Sequence, residues 1–525
     1  MPSKVDDLSS VEQTDWTGHV SWRDRAASAV ILRHEVVTTA TLAGVATLAA
    51  VLRLWRLDAV GYNSDEVVYA GQAAAITGVD DLAPYFPVFR AHPLLFQAVL
   101  SLFYRFDTAD VVGRAVSAGF GVATVLLVFL LGRSLYDRRV GLVAALLMAV
   151  MPYHVVVSRQ VLLDGPTTFF STLTIYLLGR FGMSQRPVWL YAAGGAMGLT
   201  LLSKETSVLL IGSAYAFLAL TGDLRLRLRD GIASLGIAVG MFAIYPLTPV
   251  LAGAPKTGNA YLVWQLFRRP NHGWSFYFTE VPVAIGIGVV AVALLGVWVL
   301  RSRRTWRETL LYSTIVVPIV FFELWPVKGF QYLLPIAPPL AVLAARTIVQ
   351  APAVRGWGTK AAVVLTTLVA GPTALASWDA IQPPQGSTFL AGTGGVPGGR
   401  EAGRWIARNT PGGSQMITIG PSMANIVEYY GLRQANGLAV SPNPLHRNPA
   451  YDPVPNPDLE VRSNNVQYLV WDAYSAGRSP FFERKLLSYV DRYNGRAVHT
   501  ETTSVRTSDG QLATEPVIVV YQVHP

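Results

Sequence analysis

The run AVSAGFGVATVLLVFLLG at residues 115–132 carries no charge and stands between Arg114 and a basic cluster from Arg133 to Arg139. A helix over it, rising about 1.5 Å per residue, crosses most of a hydrocarbon core about 30 Å thick. The same pattern recurs at 36–52, 140–157, 165–179, 188–203, 207–220, 231–251, 281–300, 309–322, 329–345 and 361–378, giving eleven uncharged runs. The shorter ones reach across by tilt, kinks or their flanks. Hydrophobic residues make up 51% of the 525-residue chain and charged residues only 14%, against about 25% charged in soluble domains. The expected fold is a polytopic α-helical membrane protein with about 11 transmembrane helices.

Basic residues then set the orientation. Arg133 to Arg139, Arg180 to Arg186, Arg225 to Arg229, Arg301 to Arg307, and Arg355 with Lys360 fall in alternate connections. Placed in the cytoplasm by the positive-inside rule, they put the N-terminus there too. The net charge of +9 is thereby a matter of topology, and no nucleic-acid partner is expected. The chain has no cysteine, which excludes disulfides, thiolate metal sites and cysteine nucleophiles. Residues 1–33 are polar and mixed in charge, a cytoplasmic segment rather than a cleavable signal. The catalytic membrane region is expected over 34–379, with a first outside loop at 53–110. A Gly- and Pro-bearing linker over 380–399 leads to a soluble-looking α/β domain at 400–525. That domain is expected to have strands at 415–420, 466–471, 497–503 and 516–523, with helices up to Tyr430 and over 480–493. Eleven spans from an inside start place it outside the cytoplasm.

The outside face gathers the residues that can carry chemistry. In GYNSDEVVYA (61–70), Ser64 is expected to N-cap a helix whose first turn holds Asp65 and Glu66, and Pro93 to open a second helix. Two acids in a first turn can serve only the helix dipole. Yet the same face holds isolated cations that the positive-inside pattern does not explain: Arg90, Arg159, Lys204, Arg268, Arg269 and Lys328. Each has a structural alternative, snorkelling or pairing with acids such as Asp164, Glu205 or Glu323. Their functional reading is a phosphate site at the membrane interface. A carboxylate beside such a site can take a proton from an acceptor hydroxyl while the cations stabilise a departing phosphate. Glycosyl transfer from a polyprenyl-phosphate sugar needs those two functions. No nucleotide cofactor is expected, because the chain has no GxxxxGK[ST] and no DxD, and 392–399 lacks the third glycine of GxGxxG. His92 and His272 also lie on this face. With Asp65 or Glu66 they could form a His/carboxylate site, which leaves a divalent metal as an open expectation.

These pieces resemble the GT-C membrane glycosyltransferases, in the family joining aminoarabinose transferases of lipid A to protein O-mannosyltransferases. The resemblance runs in order through DEVVYA (65–70), HPLL (92–95), GRAVSAGFGVATVLLVFLLGRSLY (113–136), SRQVLLDGPTTFF (158–170), LSKET (202–206), NHGWSFYF (271–278) and KGFQYLLPIAPPL (328–340). It implies a polyprenyl-phosphate-sugar donor and an extracytoplasmic site. It aligns Asp65 with the family's catalytic aspartate, Asp164 with a second acid shaping the site, and Lys204 with a lysine on the lipid phosphate. Tyr332 falls on a late tyrosine near the site, and His272 on a histidine that helps hold a divalent metal in some members. Tyr69 and His92 fall inside matching motifs and are expected to shape the substrate site. Departures accompany the match. Val68 stands where aminoarabinose transferases carry Arg in DExRYA, Ala91-His92-Pro93 replaces their Glu-Lys-Pro, and Gln331 replaces a common Arg. They argue against lipid A aminoarabinose transfer itself.

The expected function is inverting transfer of a glycosyl residue to a lipid, glycan or protein acceptor. Asp65 serves as the base, with Glu66 beside it in the catalytic pair, and Lys204, Arg159, Arg268, Arg269, Lys328 and Tyr332 hold the donor. The rival is a transporter or flippase of lipid-linked sugars. Transporters favour internal repeats and charges at the membrane midplane; here no repeat is visible and the charges gather on one face.

Overall fold

The structure is a computed structural model, describing residues 22–79, 81–89, 91–251, 255–382, 396–506 and 511–525. Arg90, residues 1–21 and most of the linker lie outside the described residues. The chain opens with eight helices: α1 (Trp22–Leu54), α2 (Ser64–Ile76), α3 (Leu95–Tyr104), α4 (Asp110–Leu135), α5 (Arg138–Ala149), α6 (Pro152–Ser158), α7 (Asp164–Ser184) and α8 (Pro187–Ser203).

Among the described residues, five helices are long and apolar enough to cross a membrane: Glu35–Leu54, Asp110–Leu135, Leu228–Thr248, Phe330–Val354 and Gly358–Ala380. Two bent pairs raise the number to seven: α5 with α6, turned by 60°, and Phe276–Ile285 with Ile287–Val299, turned by 100°. The first break precedes Pro152, which opens α6 at a position where its missing N–H costs nothing. The second is made at Gly286, whose φ of 103° suits a residue without a side chain. The expected count of eleven is not reached on this measure. The runs at 165–179, 188–203, 207–220 and 309–322 do fold as helices, but those helices are too short or too polar to qualify.

The α4–α5 hairpin shows how sequence sets the packing. Asp137 caps α5, accepting from the backbone N–H of Arg139 at 2.7 Å and of Val140 at 3.0 Å. Gly132 and Gly141 let the two helices meet; a Cβ on Gly132 would lie 2.9 Å from the Gly141 Cα. The basic connections converge. Arg346 donates to the Arg303 carbonyl at 2.9 Å and pairs with Glu308 at 3.3 Å, while Glu308 also accepts from the Tyr136 hydroxyl. The Arg225 N–H reaches Gln185 at 3.1 Å.

Beyond residue 396 the chain forms a five-stranded sheet in the order β2-β1-β3-β5-β4, from β1 (Gln415–Thr418), β2 (Gln434–Gly437), β3 (Val466–Asp472), β4 (Arg496–Arg506) and β5 (Leu512–Gln522). The β1–β2 and β1–β3 pairs are parallel, and β5 runs antiparallel to both β3 and β4. The short edge strand β2 was not expected. Its QANG sequence has neither alternation nor β-branched residues, and pairing to β1 defines it. This unit sits on the first loop. Tyr430 donates to Asp110 at 2.6 Å and accepts from the Tyr62 N–H at 2.7 Å. Arg400 reaches Asp58 at 2.5 Å and Asp110 at 3.3 Å.

Two local expectations need correction. The N-cap of α2 is Asn63, not Ser64. Its side chain accepts from the N–H groups of Asp65 and Glu66, and the Glu66 carboxylate returns to the Asn63 N–H in a capping box. Helix α3 begins at Leu95, two residues past Pro93.

Candidate active site

The capping box fixes the first turn of α2, and helical rotation sends Asp65 and Glu66 to different surroundings. Glu66 is fully buried. Its carboxylate takes two bonds from Arg114, each 2.8 Å, and one each from the Val161 N–H and the Asn63 N–H, both 3.0 Å. Those partners engage both of its oxygens, and the geometry makes Glu66 an anchor for the first loop rather than a reacting group. Asp65 keeps accessible surface. The protein around it nevertheless limits its hydration, and this desolvation pushes its carboxyl above the ordinary aspartate range. His92 and Lys204 act in the opposite sense, and the carboxylates of Asp164 and Glu66 add to the rise.

Lys204 follows the last turn of α8 and is buried. It donates to Asp164 Oδ1 at 2.8 Å and lies 4.8 Å from the centre of the Tyr332 ring. Burial alone would lower the Lys204 ammonium, but Asp164, Tyr332 and Glu205 together outweigh it and hold the group above the ordinary range. Asp164 opens α7, where a negative charge suits the helix terminus. The cavity beneath is lined by Lys204, Asp164, Thr167, Ser207, Phe322 and Tyr332, among others. His92 is held from both ring nitrogens: Nδ1 lies 2.9 Å from Glu205, and Nε2 lies 3.2 Å from the Tyr261 hydroxyl. Tyr69 meets the His92 ring edge-on, with centroids 5.9 Å apart. The structure thus brings Asp65, Tyr69, His92, Asp164, Lys204 and Tyr332 into one neighbourhood.

Of the other expected cations, Arg159, Lys328 and Arg268 are engaged elsewhere. Arg159 donates to the carbonyls of Leu52 at 2.9 Å, Arg53 at 3.2 Å and Trp55 at 2.7 Å, closing the C-terminal end of α1. Lys328 is buried and donates to the Glu323 carbonyl at 2.7 Å, beside the Glu323 carboxylate at 3.3 Å. Arg268 stacks over Trp264 at 4.5 Å, and Arg269 is exposed. His272 stacks on Phe276 with centroids 4.0 Å apart. Among the described residues, no group of three or more His, Asp or Glu is placed to hold a metal ion, so the donor set does not fit the expected divalent site. Sequence reasoning missed Asn63, Arg114, Glu205 and Tyr261. Asn63 was legible as a capping box with Glu66, whereas Tyr261 becomes a partner of His92 only through tertiary packing.

Residues 91–249 match the family model for dolichyl-phosphate-mannose-protein mannosyltransferase. The chain is 25% identical over 305 residues to the undecaprenyl phosphate-alpha-4-amino-4-deoxy-L-arabinose arabinosyl transferase of Pseudomonas aeruginosa, an alignment spanning 54% of this chain and 55% of that relative. Its fold is similar to ArnT from Cupriavidus metallidurans in the apo state, with a TM-score of 0.65 at 14% identity over 95% of this chain and 98% of the other. The same protein bound to undecaprenyl phosphate gives 0.62 at 14% identity, covering 93% and 97%. The archaeal oligosaccharyltransferase AglB from Archaeoglobus fulgidus, in complex with an inhibitory peptide and a dolichol-phosphate, gives 0.58 at 14% identity, covering 92% and 74%.

Proposed function

We propose that this chain is a GT-C glycosyltransferase that transfers a glycosyl residue from a polyprenyl-phosphate sugar to an extracytoplasmic acceptor. The observation that carries this reading is that the Asp65 carboxylate keeps accessible surface within electrostatic reach of His92, Lys204 and Asp164. Lys204 has one proton on Asp164 and two more to offer a phosphate at the mouth of the cavity beneath it. Undecaprenyl phosphate in the Cupriavidus protein and dolichol-phosphate in the archaeal one support a lipid phosphate as the leaving group.

In the proposed step Asp65 takes the proton of an acceptor hydroxyl. That oxygen forms its bond to the anomeric carbon from the face opposite the phosphate, so configuration inverts. The carbon–oxygen bond to phosphate breaks, and its electron pair leaves on the polyprenyl phosphate, whose charge Lys204 stabilises. Tyr332 and Asp164 hold Lys204 in place, and Glu205 and Tyr261 orient His92 at the rim. The convergence of the basic connections supports a cytoplasmic N-terminus, with Asp65 and the sheet-bearing unit on the outside in this reading. Eleven spans and an α/β domain over 400–525 belong to the same proposal.

Purified protein incubated with radiolabelled polyprenyl-phosphate sugars tests it. Label should pass from lipid to acceptor in the native chain and not in Asp65→Asn. Transfer retained in that variant would remove Asp65 from the reaction. Lipid flipping without transfer by the native chain would overturn the enzymatic reading.

A further inference from the structure

A second cavity of about 340 Å³ lies between the first loop and the sheet, lined by Tyr85 from the loop and by Asn425, Glu428, Gln434, Asn436, Tyr451 and Asp452 from the sheet-bearing unit. We infer that it is a carbohydrate-binding site for the acceptor, taking a neutral or amine-bearing sugar. The inference rests on the glycosyltransferase reading and narrows its acceptor to a glycan.

Its position follows from topology. Strands β1 and β2 are parallel, and Pro421 after β1 and Gly437 at the end of β2 both reach the cavity wall. In open parallel sheets the crevice beyond the carboxyl ends of the strands is where ligands bind. Its chemistry is selective. Two carboxylates and three side-chain amides (Asn425, Gln434 and Asn436) bring acceptors and donors for hydroxyls, and two tyrosines bring ring faces with polar tips. Although the chain carries +9 overall, among the described residues no Lys, Arg or His lines this cavity. Of those residues, the charged groups an anionic ligand would meet are Glu428 and Asp452, so phosphate is assigned to the Lys204 site and not here. The two sites are joined by one side chain. Asn425, which is buried, donates from Nδ2 to the Tyr451 hydroxyl at 3.0 Å and to the Ser64 hydroxyl at 3.0 Å, and Ser64 precedes Asp65. A glycan seated against Tyr451 is therefore anchored within one side chain of the helix turn that carries the proposed base.

The test uses full-length protein in detergent and saturation-transfer NMR titrations. The probes are maltotetraose, mannotetraose and arabinotetraose as neutral sugars, chitosan tetramer as the amine, and tetragalacturonate as the acid. At least one neutral or amine-bearing probe should bind, and tetragalacturonate should not. Asn436→Ala and Asp452→Ala should each weaken that binding tenfold or more, while Asp65→Asn leaves it unchanged. Thermal stabilisation by undecaprenyl phosphate, measured on the same variants, should persist and shows that they are folded. Absence of binding by every neutral and amine probe, equal binding of the acid, or insensitivity to both substitutions overturns the inference. Loss of lipid-phosphate stabilisation in the native chain would instead count against the glycosyltransferase reading.

Discussion

Arg114 grips Glu66 through both arms of its guanidinium, Nε to Oε1 and Nη2 to Oε2, each at 2.8 Å. The adjacent carboxylate, Asp65, is left accessible. One residue of helical rotation gives two neighbouring acids opposite roles: the first loop hangs on Glu66, and the cleft opens on Asp65. Arg114 extends the anchor by donating to the carbonyls of Leu57 at 2.8 Å, Val60 at 2.6 Å and Gly61 at 3.0 Å.

Glu66→Ala should therefore act on stability. It strands a buried guanidinium, at a cost of about 3–5 kcal/mol by comparison with other broken buried pairs. The expected result is a lower unfolding midpoint in detergent, with undecaprenyl-phosphate affinity retained in the folded fraction. Full stability with transfer abolished would make Glu66 a reacting group after all.

Asp65→Asn should act on the reaction, lowering kcat by about 10²–10⁴-fold, the range for loss of a general base. Its pH signature has a definite sign. The carboxyl lies above the ordinary range because of desolvation, so the acid limb of kcat/KM should fall at a higher pH than an ordinary aspartate gives. For stability, the raised value means the folded chain holds the proton more tightly than the unfolded one. The ionised carboxylate thus costs stability above its folded-state pKa, and Asp65→Asn removes that cost. The variant should match the native chain in acid and become relatively more stable as pH rises through the Asp65 range. A stability difference that shrinks with rising pH would contradict the desolvated setting of Asp65.

How much of this was legible beforehand depended on the range of the signal. Charge-free runs and basic clusters are local, and every expected run holds helix in the structure. Which helices are straight, bent at Gly286 or shortened is decided by packing, so the span count was not legible. Residue type and topology brought Lys204, Asp164, His92 and Asp65 to one end of the molecule. They did not separate a cation held by one carboxylate from one whose donors are taken up by backbone carbonyls. Arg159 and Lys328 looked equivalent to Lys204 in sequence, and the difference is which carbonyls lie nearby in the fold. The β2 edge and the cavity beside it depend on pairing across the chain and had no local signal.

Lys204→Gln removes the cation and leaves Asp164 buried without its partner. Expected consequences are weaker binding of undecaprenyl phosphate and a fall in kcat of about 10²–10³-fold, as for loss of one transition-state donor. Adding Asp164→Asn should recover stability, since neither side is then left charged, but not transfer. Isothermal titration with the lipid phosphate and a thermal melt separate the two effects. Recovery of transfer in the double variant would mean that Lys204 serves only to neutralise Asp164.

Arg159 supplies the counterpart. Its three bonds to the carbonyls of Leu52, Arg53 and Trp55 place a cation at the C-terminal end of α1, where those groups lack helical partners and the helix dipole favours positive charge. Arg159→Ala should lower stability by about 1.5–3 kcal/mol, the scale of bonds made by a charged donor. Arg159→Lys should recover only part of this, because a point charge cannot reproduce the fork that spans three carbonyls. Neither variant should change the affinity for undecaprenyl phosphate, and that separates this arginine from Lys204. A tenfold loss of lipid-phosphate affinity in Arg159→Ala, with the melting midpoint unmoved, would return Arg159 to the donor site. The bonds to α1 would then describe only the resting position of its side chain.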